Sequence, residues 1–158
     1  RCLSRGLGDV YKRQKLASDH KMPVFLHNRE AFKDFYSILK KYFSNLPGGI
    51  VHCFTGSKSE LVSFLDLGLY IGITGWVCDE RRGADLNSLL KFIPKDRLII
   101  ETDAPYLIPR NLKSKTKHNI NTPMNLPHIA EHIANVRGEN VIEMAEYTTE
   151  NFKNLFTL

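Results

Sequence analysis

Apolar residues follow two rhythms along the chain. Four short unbroken runs, PVFLH (23–27), GIVHCF (49–54), LYIGITGWV (69–77) and RLIIET (97–102), lie between Pro, Gly or polar residues and are rich in β-branched side chains. Such runs read as strands buried on both faces. Between them, apolar residues recur every three or four positions: Phe32, Phe35, Tyr36, Leu39 and Phe43; Leu61, Phe64 and Leu65, closed by Gly68; Leu86, Leu89, Leu90 and Ile93. That spacing predicts helices. Two further helices are predicted over 126–136, with Ile129 and Ile133 on one face, and over 141–155. The glycines inside 69–77 suggest close backbone approach. A polar loop spans 110–125; it carries Arg110, Lys113, Lys115 and Lys117 and no acid.

Strand and helix alternate, and the strands do not alternate apolar with polar. The prediction is an α/β fold whose parallel sheet is covered on both faces. Four such units fit either an open doubly wound sheet or half of an eight-stranded barrel. A whole barrel needs about 250 residues, and the chain has 158. No internal repeat or linker is visible, so one domain is expected.

Composition, 42% hydrophobic and 25% charged, is that of an ordinary globular domain. There is no apolar run of membrane-spanning length and no secretory signal pattern. Three cysteines without paired spacing argue against a disulfide framework or a zinc cluster. The reading is a soluble, cytoplasmic protein without a membrane partner. The net charge of +5 invites a nucleic-acid reading, but the first fourteen residues, RCLSRGLGDVYKRQ, account for +3 and leave +2. Residues 1–14 lack apolar periodicity and are expected to be a non-native, adapter-like leader before a domain over 15–158.

Polar residues gather at the C-terminal ends of the predicted strands. His27 ends the first, His52 lies near the end of the second, and Asp103 follows the fourth. Sites in parallel α/β folds are built at that end. Two imidazoles and a carboxylate there suit a divalent metal. Each residue alone is as readily a hydrogen-bonded structural group, and from spacing both readings stay open. Alternation puts His27 with Phe25, His52 with Ile50 and Asp103 with Glu101, and turns Cys53 and Thr102 the other way. Glu101 lies about 6.6 Å deeper than Asp103, where a carboxylate is better placed to anchor a neighbouring side chain than to touch substrate.

The motifs PVFLHNR, GGIVHCFTGS, YIGITGWVCDERRG and LIIETDAPYLIPR, followed by LPHI and TTENFKNLF, resemble the TatD family of metal-dependent deoxyribonucleases from about Lys15 to the C-terminus. The resemblance implies a TIM-barrel hydrolase of the amidohydrolase-like superfamily, with this chain as its C-terminal half. It implies metal-binding roles for His27, His52 and Asp103, and it favours Mg²⁺, with Zn²⁺ or Mn²⁺ possible by ligand type. The family's His-x-His motif and fourth-strand Glu have no counterpart here. Where the family often has Asn-Glu-Pro, the chain reads Asn121-Thr122-Pro123, so no function is assigned to Thr122.

On this reading Asp103 ligates or orients a water and acts as general base in a 3′–5′ exonuclease whose substrate is DNA. Arg29, Arg81 and Arg82 are candidates for phosphate contacts, and Trp76 and Tyr106 for base stacking. A solvated loop explains the arginines equally well, and rim packing the aromatics. Two other readings stay open: an amidohydrolase acting on a small carbonyl substrate, and a non-catalytic half-barrel scaffold. A half-barrel alone is expected to be feeble or inactive. Phe25, Ile50 and Ile99 would lack an opposing layer and two sheet edges would lie open, which predicts poor solubility or dimerisation.

Overall fold

The computed structural model describes residues 12–81, 83–112 and 120–157. Arg82, Lys113, Lys115, Lys117 and residues 1–11 lie outside them. In chain order the elements are α1 (residues 12–19), β1 (Val24–His27), α2 (Phe32–Tyr42), β2 (Gly49–His52), α3 (Lys58–Asp66), β3 (Tyr70–Ile73), α4 (Ala84–Leu89), β4 (Leu98–Ile100), α5 (Leu126–Arg137) and α6 (Val141–Phe156), with short 3₁₀ turns between them. The helix α1 begins before residue 15, and Gln14 within it is buried.

The four strands pair in parallel in the order β1-β2-β3-β4. Strand order therefore follows chain order with no reversal, so there is no switch point of the doubly wound kind. Successive right-handed crossovers in one direction put the connecting helices on the same face. The main core lies between sheet and helices and centres on Phe64, which is fully buried. Phe32, Phe35, Tyr36 and Phe54 meet its ring edge-on at centroid distances of 5.4–6.3 Å, the arrangement aromatic quadrupoles favour.

The other face is covered only in part, which corrects the expectation of two covered faces. Ile50 and Ile99 pack against Leu155 from the end of α6, with Tyr70 and Phe156 partly buried beside them. Phe25, on the same face of β1, is 56% exposed. Among the described residues no helix is long and apolar enough to cross a membrane.

Local chemistry explains the boundaries. Ser57 and Glu60 form a reciprocal capping box that starts α3. The Asn140 side chain accepts from the Ile142 and Glu143 amides to start α6. Gly68 (φ +79°) and Gly138 (φ +68°) supply the left-handed residues that follow α3 and α5. Three strands are shorter than the apolar runs. β2 stops at His52 because Cys53 turns to φ +49°. β3 stops at Ile73, where the Thr74 hydroxyl accepts from the Trp76 amide and starts a 3₁₀ turn over Gly75–Cys78. β4 stops at Ile100, although the Glu101 amide still donates to the Ile73 carbonyl at 2.9 Å.

Candidate functional site

Register brings the strand-end residues together. In the β1–β2 ladder His27 is the direct partner of His52, and their ring centroids lie 6.0 Å apart. The Phe25 ring packs 5.1 Å from the His52 ring. Beyond β4, Asp103 takes φ +55°, a conformation that short polar side chains tolerate best. Its Oδ1 lies 3.1 Å from His52 Nε2.

Glu101 organises the centre from two strands away. It follows β4, yet its carboxylate crosses β3 to reach β2. There Oε2 lies 2.6 Å from His52 Nδ1, and Oε1 accepts from the Cys53 amide at 2.9 Å. The crossing is open because β3 carries Gly72 at that point. A Cβ on Gly72 would sit 1.9 Å from Glu101 Oε1. The Glu101 contact also satisfies the amide of Cys53, whose positive φ ends β2.

The tautomer that gives Nδ1–H to Glu101 leaves an Nε2 lone pair facing Asp103 Oδ1. A lone pair and a carboxylate oxygen facing each other at 3.1 Å need a proton or a cation between them. A carboxylate behind an imidazole is the arrangement that orients metal-ligating histidines. The donor chemistry of His52 and Asp103, with His27 alongside, therefore fits a divalent ion. Among the described residues no three His, Cys, Asp or Glu side chains already meet in a complete metal-holding group.

Cys53 reports the electrostatics of the mouth. Burial pushes its thiol up; a hydrogen bond with the Thr74 hydroxyl at 3.3 Å opposes this, the Asp103 and Glu101 charges add to it, and the Arg29 charge subtracts. Exposed Arg29 thus lies within electrostatic reach of Cys53. Arg81 lies on the segment after the β3 turn, 64% exposed, and Tyr106 is 70% exposed three residues beyond Asp103. Trp76 is half-buried in the turn.

Two further parts of the site carried no sequence signal. Asn121 is 2% exposed, and its Nδ2 lies 2.8, 2.6 and 3.2 Å from the Thr102, Tyr106 and Leu107 carbonyls. Its Oδ1 accepts from the Thr122 amide and from Asn125. One buried amide therefore clasps the loop that bears Asp103. In sequence Asn121 reads only as a residue before Thr-Pro. Asp79, 9% exposed, accepts from the Arg81 amide at 2.9 Å and faces two arginines.

The TatD-related DNase sequence profile matches residues 9–157. The chain is 53% identical over 143 residues, 90% of its length, to the "3′-5′ ssDNA/RNA exonuclease TatD" of a Rahnella species. It spans about half the length of the curated relatives it matches, 54% in that case. Among solved structures it superposes on YJJV, a TatD homolog of Escherichia coli, with TM-score 0.86 and 27% identity over 98% of this chain and 57% of that one. The TatD-family hydrolase of Entamoeba histolytica gives 0.83 and 26%, over 95% and 56%.

Proposed function

The chain belongs to the TatD-related DNase family, and from that premise we propose that the whole protein is a metal-dependent nuclease removing nucleotides from the 3′ end of single-stranded nucleic acid. The observation that carries the proposal is the Glu101–His52–Asp103 line, 2.6 Å and 3.1 Å long on either side of one imidazole. The four strands then form part of a (β/α)₈ barrel with the site at the C-terminal mouth.

His27, His52 and Asp103 hold the divalent ion, Mg²⁺ by family and Mn²⁺ or Zn²⁺ by ligand type. Such an ion supplies positive charge against the scissile phosphate and makes water a stronger acid. Glu101 keeps the proton of His52 on Nδ1, so Nε2 stays available as a donor atom. The Asp103 carboxylate accepts the proton of the attacking water. Arg29 and Arg81, with Arg82 in the same run, take phosphate oxygens, and Tyr106 and Trp76 offer rings to a base.

The test uses a single-stranded oligonucleotide labelled at its 5′ end, with Mg²⁺. A ladder shortened from the 3′ end is expected, and Asp103→Ala should slow it by roughly 100-fold or more. Cleavage that survives Asp103→Ala, or proceeds fully in excess EDTA, contradicts the proposal.

A further inference from the structure

We propose that Asp79 assembles Arg81 and Arg110 into a clamp for one phosphate of a single-stranded nucleic acid, where the Asp103-bearing loop meets the turn after β3. The inference rests on the nuclease reading above, keeps its Arg81 and adds Asp79 and Arg110.

The two arginines come from different loops. Arg81 follows the 3₁₀ turn after β3, and Arg110 lies beyond Asp103 on the chain that follows β4. Both loops leave the same end of the sheet, and they touch: a Cβ on Gly75 would lie 2.6 Å from the Leu107 carbonyl oxygen and 3.1 Å from Pro109. The Asp79 side chain sits at this junction. Arg81 Nε is 3.6 Å from one of its oxygens and Arg110 Nε is 3.7 Å from the other.

The backbone around Asp79 is tightly wound. The Asp79 amide donates to the Trp76 carbonyl at 3.0 Å, and the Gly83 amide donates to the Asp79 carbonyl at 2.7 Å. A Cβ at position 83 would meet the Val77 and Asp79 carbonyl oxygens at 2.7 Å, so only glycine fits. Together with the bond that the Arg81 amide donates to the Asp79 carboxylate, this fixes where Arg81 leaves the chain.

Charge and hydrogen bonding both point outward. Two guanidiniums around one carboxylate leave a positive excess. Their separations from Asp79 exceed the 2.7–2.9 Å or so of a charge-assisted hydrogen bond. Among the described residues neither guanidinium donates a hydrogen bond to the protein, and the side chains are 64% and 55% exposed. Asp79 therefore gathers the two forks without occupying their donors. A phosphate matches that need: it carries the missing negative charge and accepts from planar N–H forks two at a time. Between Asp103 and Arg110 the loop presents exposed Tyr106, whose carbonyl Asn121 pins at 2.6 Å. A ring on a fixed backbone in the same loop as Arg110 suits a base of the same strand.

The experiment measures binding of a fluorescein-labelled oligo(dT) by anisotropy in EDTA, across a salt series. Asp79→Asn makes the protein more positive. A diffuse basic surface would then bind more tightly, whereas the clamp predicts weaker binding, by roughly threefold or more. Arg110→Lys keeps charge on an exposed side chain but loses the fork, and should weaken binding by about tenfold. Arg81→Ala should lower the salt dependence by about 0.7, one phosphate contact on a single strand. Arg97→Ala, which removes the same charge at the opposite end of the sheet, should change little. Tighter or unchanged binding by both Asp79→Asn and Arg110→Lys overturns the clamp while leaving the nuclease reading in place. An unaltered chain that does not bind the oligonucleotide also overturns the clamp, while the nuclease reading is decided by the cleavage assay above.

Discussion

Replacing Gly72 with alanine places one methyl group where a Glu101 oxygen now passes, 1.9 Å from the new carbon. The next contacts are with Glu101 Cδ at 2.7 Å and Ile50 Cδ1 at 3.1 Å. The clash is with the end of a flexible side chain, so the backbone need not yield. Glu101 swings away instead and loses its bonds to His52 Nδ1 and the Cys53 amide. Hydrogen bonds to a charged group are each worth about 1.5–3 kcal/mol. The freed carboxylate regains some water, so a net loss of about 2–4 kcal/mol follows. Urea unfolding monitored by circular dichroism measures it, and a shift of about 2–4 °C per kcal/mol accompanies it in thermal melts of a domain this size. A double-mutant cycle separates the causes: with Glu101→Ala already present, Gly72→Ala should cost less than about 1 kcal/mol. If Gly72→Ala is equally harmful in both backgrounds, the damage lies in β3 packing and the account of the crossing is wrong.

Asn121→Ala removes the clasp on the Asp103 loop and leaves the Thr102 and Tyr106 carbonyls without their donor. The expected loss is about 2–4 kcal/mol, with faster amide exchange across 103–107 than elsewhere. Arg137, 6% exposed, donates to the Leu90 and Ile93 carbonyls and pairs with Glu139 at 2.8 Å; Arg137→Ala should cost about 3–5 kcal/mol in urea unfolding. Burial, then the nearby His128 charge, holds the His132 imidazole below its ordinary 6.5, with the Val77 backbone opposing. The unfolded chain thus binds this proton first, so stability should fall as pH drops below about 6.5 toward the folded value, and His132→Gln should flatten that slope in melts.

Periodicity alone was enough to place the strands and the main helices, because short apolar runs and helical spacing are local properties. The ends of three strands were not legible. Cys53 leaves β2 with a positive φ that a bond from Glu101, distant in sequence, supports. Thr74 ends β3 through a side-chain bond to its own turn. The side-chain gap at Gly72 was foreseen as a close approach, but the occupant was not, since sequence does not say which residue two strands away will fill it. Phe25, Ile50 and Ile99 are all expected to lack an opposing layer; Phe25 does, but Ile50 and Ile99 are covered because α6 reaches them through Leu155, a contact between distant segments. His27, His52 and Asp103 were nominated from strand-end position, which a parallel register converts into proximity. Arg110 reads in sequence only as part of a basic loop, and Asn121 and Asp79 only as members of longer motifs; their contacts are not legible because loop-to-loop contacts have no period to read.

His27, His52 and Asp103 are proposed to hold a divalent ion. Mn²⁺ titrated into the chain, with the ring signals of all six histidines followed by NMR, tests it without relying on turnover. The account predicts that His27 and His52 broaden first, well below one equivalent, and that Asp103→Ala shifts the effect to higher Mn²⁺. Broadening that begins at His128 and His132, or that ignores Asp103→Ala, would contradict it.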